Sequence, residues 1–520
     1  MSIDLNTVFN NIPILESNTK LYNGQKYQLD IIFDNMQGNT FQLNLASVVS
    51  LDIEEDTRNW YRRASLVINN PENIFEQKVV PNAPNNQYYK FRNDGRDIVY
   101  IRFKIIADSP LNYANDVNID YNVWGMKYKF AIYDKEETPG ATSSQKTLKL
   151  YLWEYDQQIL NETNLQWSTN ECLPSNIIPA AATDAAKLVN TGTAIKSLLT
   201  KALVNSTPPS FSTEWDIGSS TIFYSAPANY TANDSLNYLL KKHVSSQIGA
   251  DNGADPCILD RSRYDQQWSL VSYCNLFDKA VKYNNGVAVA GPLQREIITL
   301  SMQGGDDNIG YLFDLPQSPF RSNTANTNFQ HPATSNITNI NFTDMSTIDN
   351  MNDMISTPCY SNDYKGKAFN VEFQSNDIQN VKSYISKNYS SKLKISTTPD
   401  TLLTLNKTKT NNLAVKNIYS FGDNKISRLA EGRNFMLLAA LYYNTSVSFT
   451  ALGSPIRESG TFISIVKGKG GIIDEFFNKL LGQWFVYSVM HRFTENEYTN
   501  DITAFRVHAN DNIDIRSNII

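Results

Sequence analysis

Histidines, cysteines and carboxylates are the side chains from which this 520-residue chain would build a reactive centre, and their spacing decides how far they can go. The four histidines are His243, His331, His491 and His508. His243 falls on one face of a predicted helix, where a satisfied core or rim imidazole is the expected role. His331 falls in a polar stretch and reads as solvated. His491 and His508 sit near the ends of two strands that would pair, so a joint metal site is the one metal reading they allow. No H-x-H, H-E-x-x-H or neighbouring carboxylate supplies ligand spacing around them, and no metal or cofactor is expected. Cys172, Cys257, Cys274 and Cys359 are far apart and form no C-x-x-C pair, which reads as four reduced, mostly buried thiols. Hydrolysis would need a nucleophile with its base, or two facing carboxylates. The run Glu54-Glu55-Asp56 offers neither, because adjacent side chains on a strand or turn point in different directions; a solvated turn is expected. G-x-S-x-G and G-x-x-x-x-G-K-[ST] motifs are absent, and Gly468-Lys469-Gly470-Gly471 reads as a flexible hairpin loop. No catalytic residue is assigned, and the chain is not expected to be an enzyme. The residues singled out specify shape. Trp484, alternating with Val486 and Ser488, fills a core or an inter-subunit seam. Arg457, beside Pro455, is placed for a salt bridge across a subunit boundary. His491 and Tyr498 join them as inter-subunit or core-specifying positions.

The elements that must position these residues belong to a long, tyrosine-rich chain. At 520 residues it should divide into roughly two to four domains. With 28 Tyr and 25 Phe it favours strands over helices, and its many Asn, Ser and Thr residues suit turns and long polar loops. The formal charge is −6, and no block of Lys and Arg could track a phosphate backbone, which argues against nucleic acid as a principal ligand. No run of 18 or more apolar residues marks a membrane segment, and the start MSIDLNTVFNNIP has neither a basic region nor an apolar stretch. Synthesis in a cytoplasm without a conventional export signal is expected.

Residues 1–20 read as an N-terminal arm. From 21 to 165 the pattern is strongly β. Tyr27–Phe33, Phe41–Ile53 and Ala64–Ile68 are strand candidates; Val99, Ile101, Phe103 and Ile105 then alternate with Tyr100, Arg102 and Lys104, one face apolar and the other wet. Met126–Ile132 and Leu148–Leu152 complete a set that suggests a barrel or sandwich. Residues 160–185 lose periodicity and read as a linker or crossover. Residues 186–285 read as a small α/β domain, with helices over Ala194–Leu203 and Ala232–Val244 and strands at Thr221–Ser225, Cys257–Leu259 and Trp268–Tyr273. In the second helix Leu236, Leu239, Leu240 and His243 share a face, and Thr231 or Asn233 supplies the N-cap. Residues 286–520 form a second β region holding a polar stretch at about 300–365, either a surface excursion or disordered. Its further elements are a strand over Ala368–Phe373 and helix candidates over Asp377–Tyr389 and Arg428–Tyr443.

The closing segment carries a family likeness. A helix runs into Leu452-Gly-Ser-Pro-Ile-Arg-Glu-Ser-Gly-Thr-Phe-Ile-Ser-Ile465, followed by Leu481-Gly-Gln-Trp-Phe-Val-Tyr-Ser-Val-Met-His-Arg-Phe493 and Tyr498 ahead of a last strand. This order resembles the baseplate central hub proteins of contractile-tailed bacteriophages, related to the hub part of type VI secretion VgrG spikes. Leu51–Asn70, a strand ending in an acidic turn and a strand returning across it, is similar to the first domain of that family. The resemblance implies a β-rich α+β fold with two tail-tube-like β-barrel domains, an intervening small α/β domain and long polar loops. It further implies a homotrimer in the virion tail, adapting the sixfold tail tube protein to a threefold central spike protein. Baseplate wedge or tape-measure proteins would be neighbours, and DNA would pass through without specific binding. A receptor- or glycan-binding tail protein is the alternative, suggested by the aromatic and Asn content; a cell-wall hydrolase is a third, disfavoured by the missing catalytic constellation.

Overall fold

The computed structural model describes residues 18–22, 25–36, 40–69, 89, 91–92, 96–105, 126–139, 146–173, 187–204, 208–246, 256–263, 266–273, 276, 296–302, 311–314, 338–344, 359–362, 368–371, 445–453, 455, 457–467 and 482–506. The N-terminal strands are β1 (Thr19–Tyr22), β2 (Gln25–Asp34), β3 (Thr40–Gln42), β4 (Val48–Asp56), β5 (Arg63–Asn69), β6 (Ile98–Ile105), β7 (Met126–Pro139) and β8 (Lys146–Glu154). Next come α1 (Tyr155–Glu162), β9 (Val189–Asn190), α2 (Thr191–Leu203), β10 (Ser210–Phe211), β11 (Thr221–Ile222), α3 (Ala232–Lys242), β12 (Cys257–Arg261) and β13 (Gln267–Ser272). The C-terminal strands are β14 (Glu296–Met302), β15 (Tyr311–Asp314), β16 (Thr338–Asp344), β17 (Cys359–Asn362), β18 (Ala368–Val371), β19 (Thr445–Leu452), β20 (Thr461–Lys467), β21 (Gly482–Thr494) and β22 (Tyr498–Arg506). Four strands, β14 to β17, therefore lie in or overlap the stretch read as a polar excursion. The predicted helices at 377–389 and 428–443, the N-terminal arm as far as residue 17, His331 and His508 lie outside the described residues.

Strands from both ends of the chain share one 15-stranded sheet, in the order β1-β2-β6-β7-β8-β5-β4-β21-β20-β14-β15, with β22, β19 and β16 branching from β21 and β3 from β2. The first part curls until its outer strands meet the β21–β22 turn. Lys20 Nζ donates to Glu495 O at 2.6 Å, Tyr22 Oη to Thr494 O at 3.2 Å and Tyr27 Oη to Gly453 O at 3.3 Å. The concave face is lined by alternate residues of each strand, among them Leu29, Ile31 and Phe33 on β2, Leu51 and Ile53 on β4, and Leu148, Leu150 and Leu152 on β8. Phe103 stacks edge-on to Phe493 at 4.3 Å and to Tyr498 at 4.7 Å, so the closing hairpin completes this core.

The second face of β6 and β7, read as wet, is not. Arg102, Lys104, Lys127 and Lys129 are all buried. Arg102 stands directly opposite Asp30 in the β2–β6 register and donates to it through Nε at 2.9 Å and Nη2 at 2.6 Å. Lys129 lies 4.0 Å over the Tyr155 ring of α1. Paired charges let a strand keep its period of two while both faces are covered.

Between the two strand sets, α2 and α3 pack with Leu259, Trp268 and Leu270 around a second core. Thr231 caps α3 reciprocally with Asp234: Asp234 N donates to Thr231 Oγ1 at 3.1 Å and Thr231 N to Asp234 Oδ2 at 3.0 Å. Leu160 of α1 and Trp167 belong to this core, so the stretch read as a linker contributes to it. Trp60, from the β4–β5 connection, enters it as well, 5.1 Å from Trp268. Among the described residues no helix is long and apolar enough to cross a membrane.

Candidate functional site: a buried charge junction

Three parts of the chain converge on the end of β4. Its inward residues Leu51 and Ile53 are followed, in the same phase, by Glu55, which is 1% exposed. Glu55 Oε1 accepts from Tyr128 Oη at 2.7 Å, from Arg263 Nη1 at 3.1 Å and from Arg62 Nε at 3.3 Å. The solvated turn expected here is thus overturned: the carboxylate is buried because two guanidiniums and a phenol satisfy it. Burial alone would raise its pKa, but Arg263, Arg62 and the Tyr128 hydroxyl together hold it down to about 2.

Arg263, just beyond β12, reaches across to the segment that precedes β20. Its Nη2 donates to Pro455 O at 2.7 Å and to Arg457 O at 3.0 Å. Arg62 binds the central unit through Nη1 to Arg261 O at 2.6 Å and Nη2 to Asp260 Oδ1 at 3.2 Å, and lies 3.6 Å from Glu154 and 3.7 Å from Glu458. Arg261 pairs with Asp156 of α1 at 2.5 Å. Arg62, Arg261 and Arg263 thus face Glu55, Glu154, Asp156, Asp260 and Glu458, more acids than guanidiniums. Burial and the neighbouring acids outweigh Arg263 at Glu458, whose pKa rises to about 7. One acid of the cluster keeps its proton up to near neutrality.

The four residues singled out from sequence all lie within the chain, and three border this junction. His491 is fully buried; its Nδ1 is 2.8 Å from Asn500 Nδ2 and 2.9 Å from Tyr498 Oη, and its Nε2 is 3.5 Å from Arg263 Nη1. The Arg263 guanidinium beside Nε2 disfavours a metal ion at His491, and His508, the other half of the joint metal reading, lies outside the described residues. Burial, only partly offset by Glu55, drives its pKa down to about 3 and leaves the ring neutral. Arg457 donates through Nη1 to Asn500 Oδ1 at 2.9 Å, which fixes the Asn500 amide so that its NH2 faces His491. Tyr498 stacks on Phe493 at 4.3 Å. Trp484 is fully buried in β21, opposite Ile463 of β20.

The backbone makes the same join. One edge of β21 pairs with β20 over residues 482–486 and then with β4 over 488–494. At the changeover a bulge between Val486 and Ser488 leaves Tyr487 extra, and Thr57 N donates to Tyr487 O at 2.8 Å. Such a bulge bends and twists its strand, which lets β21 serve both parts of the sheet. Sequence reading missed Glu55, Arg62, Arg263 and Glu458. The available signal was phase: Glu55 continues Leu51 and Ile53, and Arg261 and Arg263 continue Leu259. Cys172 and Cys257 are in no disulfide and are half-buried rather than mostly buried, and Cys274 lies outside the described residues. Glu55, Arg62 and Arg263 are buried while Asp260 and Glu458 at the edge are partly exposed, and together they clamp three segments of the chain.

No protein-family model and no curated protein matches the chain. Among solved structures it is similar to the 43 kDa tail protein of prophage MuSo2 from Shewanella oneidensis, with a TM-score of 0.45 at 9% identity over 93% of this chain and 99% of that one. It is similar to a tail protein from Neisseria meningitidis MC58, with a TM-score of 0.42 at 8% identity over 94% and 99% of the two chains. A third, the E. coli c3393 protein, gives a TM-score of 0.35 at 7% identity over 88% of this chain and 73% of that one. It is described as a component of the type VI secretion system with structural similarity to T4 bacteriophage tail proteins gp27 and gp5.

Proposed function

We propose that this chain is a structural component of a phage tail, and within it the baseplate hub. Three copies form a ring in which each contributes two tube-like barrels, so that six barrels meet the hexameric tail tube on one face while the other face meets a trimeric spike. The ring's lumen belongs to the path of the DNA. The observation that carries this reading is the pairing of β4 with β21, by which strand sets from opposite ends of the chain become one sheet. An adaptor that matches two symmetries needs its halves held at a fixed angle, and large shape-specific interfaces around them. Electron microscopy of the purified protein should show a threefold ring with a central hole, and the ring should capture tube and spike proteins; a solid particle, or one module per chain, overturns the reading.

The receptor-binding alternative has one observation in its favour. Phe223, Tyr230 and Tyr238 of the central unit are 51%, 37% and 38% exposed, and exposed aromatics suit sugar faces. Glycan-array binding by a particle that does not capture the tube would favour it over the hub.

A further inference from the structure

Asp216, His243 and Cys257 come together in the central unit from the loop before β11, the end of α3 and the start of β12, with one ligand atom from each within 4.8 Å of the others. The hydrogen bonds behind His243 fix which ring nitrogen carries the proton. Ser220 Oγ donates its only hydrogen to Lys242 O at 2.9 Å. The 2.9 Å contact between Thr191 Oγ1 and Ser220 Oγ must then use the Thr191 hydrogen. The 2.9 Å contact between Thr191 Oγ1 and His243 Nδ1 is left to the imidazole N–H. Only this assignment gives each contact one hydrogen. It puts the proton on Nδ1 and the lone pair on Nε2, which lies 3.7 Å from Asp216 Oδ1.

A lone pair beside a carboxylate is repulsive unless a cation lies between them. We infer that Asp216, His243 and Cys257 form a binding site for a thiophilic divalent cation of the zinc class. Bonds of about 2.1–2.3 Å at tetrahedral angles place ligand atoms about 3.4–3.7 Å apart, so atoms now within 4.8 Å of one another close by shifts on the order of 1 Å.

The supporting contacts are those a metal site needs. Thr191 orients the ring through the nitrogen that does not bind, the usual arrangement behind a metal-bound imidazole. Gly218, at φ +79°, leaves room for the ring, since a Cβ there would lie 2.8 Å from His243 Cε1. Asp216 Oδ1 accepts from Gly218 N at 2.7 Å and Ser246 N at 3.0 Å, and Oδ2 accepts from Ser245 Oγ at 2.8 Å, so the ion would take the second acceptor position of Oδ2. The bound ion would staple α3 and its preceding loop to β12, with a fourth position for water.

The test is titration of the full-length, chelator-treated protein with Co²⁺ and Zn²⁺. Stoichiometric Co²⁺ uptake with a thiolate-to-cobalt charge-transfer band, displaced by Zn²⁺, and a Zn²⁺-dependent rise in melting temperature are expected. Cys257→Ser should remove the charge-transfer band while keeping the wild-type circular dichroism. A wild-type protein that takes up no Co²⁺ with a charge-transfer band overturns the inference. So does a band that persists in folded Cys257→Ser or His243→Ala, because it would then come from another thiol or from the thiol alone.

Discussion

Glu55 and Arg263 are both buried, so each is expensive without the other. Glu55→Gln should cost about 3–5 kcal/mol in urea unfolding because it strands a guanidinium, and adding Arg263→Met should recover part of the loss. Protonation gives the junction a signed pH response. Glu458 titrates at about 7 folded against 4.5 in its ordinary state, so its contribution is complete below 4.5 and is lost as pH rises to 7. His491 and His243 go the other way: their folded values of about 3 and about 4 lie below 6.5, so the unfolded chain takes up protons first on acidification. Between about pH 6.5 and 4.5 the two histidines destabilise the fold on acidification while the raised carboxyls Glu458 and Glu154 oppose them, so the net slope should be shallower than the histidines alone would give. Below 4.5 Glu55 adds to the loss, since its folded value is about 2. Glu458→Gln should match wild type near pH 5 and exceed it by ~1 kcal/mol or more near pH 8; equal curves at both values would remove the protonated-acid reading.

Strands were legible because they alternate. β2, β4, β6, β8 and β21 each repeat apolar residues at every second position, and α3 was legible from Leu236 and Leu239 and from its Thr231 cap. The junction was not, because its charges break the apolar pattern while keeping its phase and find partners far away in sequence: Arg263 and Glu55 are 208 positions apart. No local window contains that pair, and Glu55 looked solvated among Asp52, Glu54 and Asp56. Glycines set two further limits at this scale. A Cβ on Gly453 would lie 2.1 Å from the Tyr498 ring, so Gly453→Ala should lower stability by about 1–3 kcal/mol. A Cβ on Gly192 would meet the Asp216 carbonyl at 2.1 Å and the Ile217 backbone at 2.7 Å. Backbone yields less readily than a ring, so Gly192→Ala should be the more damaging of the two, as thermal melts would read.

Taken whole, the chain is closed by its own ends. Phe493 and Tyr498 sit in the core of the first sheet region, and β21 covers an edge of β4. A chain stopped after residue 285 should therefore be insoluble, exposing an unpaired edge and an open core; a soluble, cooperatively melting fragment would show that the first region stands alone. The β4–β21 ladder also governs how the molecule answers a pull. Its seven registered pairs, Ser488 with Asp56 through Thr494 with Ser50, run antiparallel along one seam. Tension along the strands would have to slide all of those pairs at once, whereas tension across them would peel them one by one. A machine that contracts along one axis would gain rigidity from a part set with this seam lengthwise to the stroke.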